Sequence, residues 1–460
     1  MKKKLLCLLF PLVLLNASQD GLTLDEALNI LKSKNLEIKA ADLELQVAKE
    51  DVKTLTGKNW GKLDLIQDVA NSDDAGNVFG FKLTSREANF GDFGAKEFMT
   101  NMGLCQGGNM AACNDMYSKP PHDLNYPDSR TFFQTKLKYE VPLFTGFMLS
   151  SYENIMNQVT KLKSLDKEKV AKEKSYQLRK SFYDMGLLKS SIKHLNVILK
   201  NINILENMTK EMIDVGYAKN VDLLEVQAKK ANVKRLISQM EANKKLLYHF
   251  ISFLLNQKVT NIITPTKPVP MPSYTDEYIL SHNLDIKKAK TGLEITKKMI
   301  DANKASYYPM VGAFAELATA DDSFLGDAND HKSYTIGARL SWNLFNGGID
   351  SAKVQKAKLE SLKVASQVEL AKKGIALKVA KIRTEIESLD SEIESLKKEL
   401  ELADAIYKNY EGRYKEKLVS MSDVIIKQSQ QIEKILQLQM AYNKRTEKII
   451  ALEKIANGDE

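Results

Sequence analysis

The stretch Leu143-Phe144-Thr145-Gly146 returns 201 residues later as Leu344-Phe345-Asn346-Gly347. Asp222 returns at the same offset as Asp423. A fixed offset of this kind is the sequence signature of an internal repeat, and it bears on every local assignment. We therefore interpret the chain as two copies of one unit, each with a short helix, a strand, a loop, a second strand and very long helices.

A second repeated stretch defines where the two copies differ in length. Asn35–Lys39 returns as Asn283–Lys287 at an offset of 248, so the first copy carries 47 extra residues between Gly61 and Leu143. This insertion falls between the two strands predicted for that copy.

Two pairs of helices follow the strands. Long helices are predicted over Leu149–Asp214 and Asp350–Tyr410, and shorter ones over Val221–Leu255 and Ser422–Ile455. In the second copy the apolar residues alternate spacings of four and three from Ile375 onward, which is the heptad pattern of a supercoiled seam. At 1.5 Å per residue the long helices reach on the order of 90–100 Å, so they need neighbours of equal length.

Ahead of each long helix the hydrophobic period changes to two. Alternating strands are predicted over Phe133–Leu143 and Ser333–Leu344, with weaker partners over Lys62–Ala70 and Met310–Ala320. About 9–11 residues suffice for a strand that crosses a membrane obliquely. An ordinary half-buried sheet has the same alternation and is the competing interpretation. Aromatic residues at the helix-facing strand ends favour a membrane girdle: Trp60, Phe144, Tyr307, Tyr308, Trp342 and Phe345.

The first residues predict export. Lys2–Lys4 precede the apolar run Leu5–Leu15, which is too short to span a bilayer and has the order of a secretory signal, with cleavage near Ala17 or Ser18. In an exported chain the nearby pair Cys105 and Cys113 predicts a disulfide. The surrounding methionines leave a Cu(I) site as the alternative.

The domain boundaries follow from these elements. We predict a signal peptide (1–18), the first helix of repeat 1 (19–57), a β-hairpin (58–146) with a long extracellular loop (71–130), the long and short helices of repeat 1 (147–264), and a Pro-rich linker (265–275). Repeat 2 then supplies its first helix (276–305), its β-hairpin (306–346) and its long and short helices (347–460).

Composition excludes several function classes. The formal net charge is +8, but the basic residues alternate with acidic residues along the helical stretches. This pattern indicates solvated helix faces rather than a nucleic-acid surface. The histidines are scattered, and no nucleophile elbow, HExxH or phosphate loop is present. We therefore expect no enzyme, no cofactor and no metal.

Four strands per chain predict assembly. An open sheet edge is not tolerated in lipid, and single-chain outer-membrane barrels begin at about eight strands. Two copies would supply eight strands and three copies twelve. The bare helical seam requires copies of the chain for the same reason.

These features together resemble the family of TolC-like outer-membrane efflux and secretion channels. The resemblance rests on the duplication, on Pro142–Gly146 with its echo Asn343–Gly348, on Tyr414–Asp423, and on Leu22–Leu28 near the start. It covers essentially the whole mature chain and implies a mainly α fold with membrane β structure. It further implies a homotrimer with a twelve-stranded barrel in outer-membrane lipid, a periplasmic α-barrel, a periplasmic adaptor, and an inner-membrane RND or ABC pump.

The resemblance also assigns a gate where the paired helices turn. Asp222 and Asp423 match carboxylates of the closed aperture, and Tyr414 matches a gate tyrosine. Glu225 follows Asp222 by one turn and is the second acid of the first copy. The family's second aspartate, paired arginine and turn glycine are replaced here by Ile426, Val419 and Lys417. Lys219 and Lys417 are therefore the candidate gate cations.

Physical reasoning about the carboxylates leaves two roles open. Rings of Asp222 and Asp423 would repel one another and favour cation passage. Each aspartate also precedes a helical stretch, where it can cap the helix. For the whole chain, the alternative to a passive conduit is a structural coiled-coil stalk or adhesin.

Overall fold

The structure, a computed structural model, describes residues 21–265 and 269–457. They form two compact units: one of residues up to Ala48, Gln158–Glu294 and the segment from Leu362 onward, the other of Lys49–Asn157 and Ile295–Ser361. No helix in the described part combines the length and apolar character needed to cross a membrane. The predicted signal peptide lies outside the described residues.

Twelve helices occur in the described residues, and the two copies match closely. In the first copy they are α1 (Leu24–Lys34), α2 (Leu36–Gly57), α3 (Ala75–Thr84), α4 (Ala95–Gln106), α5 (Met110–Ser118), α6 (His122–Asn125), α7 (Met148–Asp214) and α8 (Asn220–Leu255). In the second they are α9 (Asp276–His282), α10 (Leu284–Lys304), α11 (Ile349–Lys415) and α12 (Met421–Ala456). Both α7 and α11 have 67 residues, and both α8 and α12 have 36, which confirms the predicted pairs.

Burial confirms the apolar seam of the long helices, but the expectation that the seam stays bare in one chain is wrong, because residues of the same chain cover it. The seam by itself therefore does not require further copies. Its apolar residues are buried in α7 and α11 alike, at positions 201 residues apart such as Leu178 with Val379 and Met185 with Ile386. In each copy these side chains belong to a core cluster that also holds α8 or α12, through Leu254 or Ile455. The repeat visible in the sequence is thus a repeat of the core.

The first helix of each copy is broken where the repeated asparagine stands. Asn35 separates α1 from α2, and Asn283 separates α9 from α10. The Asn35 amide donates to the Leu254 carbonyl at 2.8 Å, and that of Asn283 donates to the Ile455 carbonyl at 2.9 Å. Each asparagine side chain also accepts a backbone N–H of the helix that it starts. The sequence predicted one helix here, and the structure has two with a capping asparagine between them.

The strands form one antiparallel sheet in the order β1 (Lys62–Ser72), β2 (Arg130–Phe144), β3 (Met310–Asp321) and β4 (Lys332–Ser341). β4 ends at Ser341, three residues before the predicted end at Leu344. A bulge at Leu143 shifts the register between β2 and β3. Because β1 and β4 are the outer strands of this order, each keeps one edge unpaired among the described residues.

The inserted segment between β1 and β2, which was predicted as a long loop, contains helices. Residues 71–130 are not one irregular loop, because they contain α3 to α6. Cys105 and Cys113 are disulfide-bonded and link α4 to α5. Phe81 of α3 stacks on Phe132 of β2 with ring centroids 4.3 Å apart. These short helices are therefore held by a cross-link and by aromatic contacts rather than by a long hydrophobic stripe.

Candidate functional site

The two helical turns place the predicted gate residues in one cluster. The turn between α7 and α8 and the turn between α11 and α12 share a hydrophobic core that includes Val226, Tyr414 and Val424. Both turns end their long helix with the same backbone hydrogen bonds, from Tyr217 N to Met212 O and from Leu418 N to Arg413 O. The structure therefore brings the two copies of the gate motif together.

One position of this repeated turn departs from its echo. The first turn uses Gly216 at φ +78°, and the second uses Lys417 at φ +64°. Glycine adopts this left-handed conformation without a steric penalty, whereas a lysine is strained by its Cβ. The resemblance predicted a glycine at 417; the second turn keeps the left-handed backbone of the first although its residue is a lysine.

Lys417 has a specific contact that the sequence did not reveal. Its Nζ lies 3.4 Å from the ring centroid of Tyr217, within range of a cation–π interaction between the two turns. A second link joins the same turns, because the Ser422 hydroxyl donates to the Glu225 carboxylate. Lys417 thus binds an aromatic ring, and Glu225 binds a hydroxyl; no carboxylate pairs with Lys417 among the described residues.

Both candidate aspartates act as helix caps. The Asp222 carboxylate accepts the Lys219 N–H at 2.8 Å. The Asp423 carboxylate accepts both the N–H and the hydroxyl of Ser420, at 3.1 and 2.6 Å, and the Ser420 hydroxyl accepts the Asp423 N–H in return. This is a reciprocal capping box. The structure therefore shows a capping role, but each aspartate is the third residue of its helix rather than the residue ahead of it, as the sequence suggested.

The charge environment of Asp423 differs from the prediction. The hydrogen bonds from Ser420 hold the pKa of Asp423 below its ordinary value, and the charges of Lys427 and Arg413 lower it further. The cations that face Asp423 are therefore not the predicted Lys219 and Lys417. The side chain of Lys219 is exposed and forms no ion pair within the described residues.

Tyr414, the predicted gate tyrosine, is buried in the hydrophobic core of the two turns rather than exposed on the surface. It is 4% exposed, and burial raises its pKa. The nearby Thr209 hydroxyl partly offsets this effect, while the charge of Asp222 adds to it. No hydrogen bond of ordinary geometry reaches the Tyr414 hydroxyl among the described residues. Tyr414 is thus packed next to Asp222 and remains protonated at neutral pH.

A buried polar pair lies deeper in the same core. Gln428 is fully buried and its amide donates to the Tyr407 hydroxyl at 3.4 Å, while its Oε1 has no partner among the described residues. Burial raises the pKa of Tyr407 to about 12. Gln428 stands 201 residues after Gln227, at the offset of the repeat, but nothing in the sequence pattern signals that it is buried.

The sheet presents one apolar and one charged face. Cross-strand registers place Leu65, Leu137, Leu317 and Tyr334 in one row. Rows of this face contain the following exposed residues: Leu63, Leu65, Val69, Leu137, Tyr139, Leu317, Tyr334, Ile336 and Leu340. The opposite face carries ion pairs such as Lys62 with Glu140 and Lys136 with Asp68.

The six predicted girdle aromatics lie at one end of the sheet, where β1 and β3 begin and β2 and β4 end. Trp60, Tyr307, Tyr308, Trp342 and Phe345 are exposed, whereas Phe144 is half-buried and packs edge-on to Phe147. The indole of Trp342 donates to the Tyr307 carbonyl at 3.2 Å. An apolar face bordered by amphipathic rings is the surface expected where a sheet meets lipid and headgroups.

Comparisons with known proteins agree with this geometry. Residues 277–458 match the family model described as outer membrane efflux protein. The multidrug resistance outer membrane protein MdtQ of Escherichia coli O157:H7 is 23% identical over 209 residues, which cover 42% of this chain and 43% of MdtQ. The chain thus matches less than half of the length of these relatives.

Solved structures with the same fold cover nearly the whole chain. CusC, described as undergoing conformational changes on folding and transmembrane channel formation, has a TM-score of 0.77 at 14% identity, over 95% of this chain and 92% of CusC. The outer membrane protein VceC of Vibrio cholerae has a TM-score of 0.75 at 13% identity, over 95% of this chain and 96% of VceC.

Proposed function

We propose that this chain, which belongs to the TolC-like family of outer-membrane channels, assembles into the outer-membrane conduit of a tripartite efflux or type I secretion system. It conducts its cargo passively and is gated at the turns of its long helices. The MdtQ relatives are named for multidrug resistance, which favours small organic compounds as the cargo.

The exposed apolar face of the sheet carries this proposal. A soluble protein rarely exposes so large an apolar surface, and the charged opposite face suits a water-filled lumen. The unpaired edges of β1 and β4 require pairing in lipid, because no water is present there to satisfy the backbone. Pairing β4 of one copy with β1 of the next closes the sheet, and three copies give the twelve strands that the family resemblance implies. A coiled-coil stalk or adhesin has no use for such a sheet.

The partners follow from the family. The conduit is a homotrimer in outer-membrane lipid. A periplasmic adaptor and an inner-membrane RND or ABC pump engage it at the helical turns and open the aperture. There, Asp222 and Asp423 cap their helices and also supply negative charge at the narrowest point, which favours cations in the closed state.

The membrane assignment is tested by placing one arginine on each face of β4. We expect Ile336→Arg to abolish trimer assembly in lipid, since an arginine at the bilayer midplane costs roughly 2–4 kcal/mol on the lipid face. Thr335→Arg, on the opposite face of the same strand, is the matched control and should assemble normally. Light scattering in detergent and single-channel recording in planar bilayers provide the readouts. A wild-type chain that stays monomeric and forms no pore would refute the proposal.

The gate assignment has its own experiment. Asp222→Asn with Asp423→Asn removes both charges but retains side-chain oxygens that accept the capping hydrogen bonds. Closed-state conductance should rise and cation selectivity should weaken. Glu416→Gln, an exposed carboxyl group of the same turn, should leave both unchanged. Equal behaviour of the double variant and this control would contradict the gate.

A further inference from the structure

Three side chains outside the proposed gate converge where β3 ends and β4 begins. Glu87 follows α3 in the inserted segment, Asp321 is the last residue of β3, and His331 precedes β4. One ligand atom from each lies within 4.8 Å of the others. Glu87 is more than 230 positions away from the other two in sequence, so only the fold brings this set together.

The two carboxylates are held in place by surrounding donors. Asp321 is buried, and its two oxygens accept the backbone N–H groups of Asp322 and Asp327, each at 2.6 Å. The Arg130 guanidinium pairs with the Glu87 carboxylate. Outer contacts of this kind orient the ligands of metal sites and leave the remaining lone pairs directed at the ion.

One ring nitrogen of His331 has no hydrogen-bond partner among the described residues, which points to a ligand. Its Nδ1 is buried without a hydrogen bond of ordinary geometry among the described residues and lies 3.4 Å from the Asp321 carboxylate. A bare Nδ1 lone pair next to a carboxylate is unfavourable, so either a hydrogen carried by Nδ1 or a cation shared by both groups lies between them.

We propose that Glu87, Asp321 and His331 bind a divalent first-row transition-metal ion, with Zn²⁺ as the best fit. One imidazole and two carboxylates suit zinc better than Ca²⁺ or Mg²⁺, which take oxygen ligands only. To reach zinc distances of about 2.0–2.2 Å, each ligand atom moves inward by less than about 1 Å. Three protein ligands leave a fourth position for water.

The site joins two parts of the chain that are far apart in sequence. A bound ion fastens the β3–β4 connection to the segment after α3, next to the point where Arg130 begins β2. Asp322, Asp327 and Asp330 add negative charge in the same connection. This charge offsets the repulsion between a bound ion and the Arg130 guanidinium, which pairs with Glu87. This role is structural and does not depend on whether the protein conducts.

The experiment uses the full mature chain in detergent, stripped with EDTA and titrated with Zn²⁺ in a calorimeter. We expect one ion per chain, and at least a tenfold weaker affinity for His331→Ala. His122→Ala is the matched control, because this histidine lies in the inserted segment that also holds Glu87, with its side chain 70% exposed and outside the set. It should bind Zn²⁺ as the wild type does.

Two further measurements separate binding from misfolding. Glu87→Gln should weaken binding without touching the buried Asp321, and circular dichroism checks that each variant is folded. Co²⁺ substitution should give visible absorption bands that His331→Ala changes in position or intensity. Absence of saturable Zn²⁺ binding, or equal affinity in wild type and His331→Ala, overturns the proposal; a hydrogen bond from His331 Nδ1–H to the Asp321 carboxylate is then the correct description. A loss in His122→Ala as large as in His331→Ala overturns it as well.

Discussion

The contact between Lys417 and Tyr217 gives the most direct test of how the two turns are held together. The Lys417 Nζ lies 3.4 Å from the centroid of the Tyr217 ring, which is close for a cation–π pair, but Tyr217 as a residue is 65% exposed. We therefore take the exposed end of the range, about 0.5–1 kcal/mol. If the pair exists only in the closed gate, its loss raises the open-to-closed ratio about 2- to 5-fold.

The substitutions are chosen to remove the contact between Lys417 and Tyr217 without changing the backbone of the turn. Lys417→Asn removes the cation and places a residue that tolerates φ +64°. Tyr217→Leu removes the ring, and Lys417→Arg keeps a cation over it. Open probability in planar bilayers is the assay, because it reports the ratio directly.

The double variant decides the matter. We expect Lys417→Asn with Tyr217→Leu to open no more than either single variant, because both changes remove the same interaction. Lys417→Arg should behave as the wild type does. If the effects of the single variants multiply in the double variant, or if Lys417→Arg opens as much as Lys417→Asn, the two turns are not linked by this pair.

Three other predictions follow from the described contacts. Asn283→Ala should lower the free energy of unfolding by about 2–4 kcal/mol, since it removes a helix cap and leaves the buried Ile455 carbonyl without its donor. Thermal unfolding against Asn283→Ser, whose hydroxyl can accept the capping N–H but places no charge against that carbonyl, measures the share of each interaction. The raised pKa of Tyr407, about 12 against about 10 when unfolded, should make the protein lose stability between pH 10 and 12, because only the unfolded chain ionises there. Tyr407→Phe should remove that part of the alkaline loss in melting curves. Trp60 and Trp342 are the only tryptophans of the sequence, so lipids brominated near the headgroup should quench nearly all intrinsic fluorescence, whereas lipids brominated at the chain ends should quench little.

The repeat made the helices predictable to within a few residues. An offset of 201 aligned α7 with α11 and α8 with α12, and the heptad pattern identified the buried side of each. Strand alternation likewise located the sheet, because a period of two over ten residues leaves few alternatives. These periodic patterns extend over many residues, so an exception at any one position does not change the prediction.

The inserted segment and the contacts between turns were not predictable in the same way. Helices α3 to α6 have 4 to 12 residues and carry no sustained stripe, so their disulfide and the Phe81–Phe132 stack decide the fold there. The repeat made Lys417 equivalent to Gly216, but equivalence along the chain does not imply proximity to Tyr217. The Glu87, Asp321 and His331 set went unnoticed for the same reason.

The unpaired edges of β1 and β4 determine which mutations should be dominant over a normal allele and which recessive. In the homotrimer proposed above, a chain with a faulty gate but intact edges would still assemble with other copies, and one such subunit would impair the whole trimer. A chain that has lost either edge would be excluded and would only lower the number of trimers. Gate lesions should therefore be dominant over a normal allele, and edge lesions recessive.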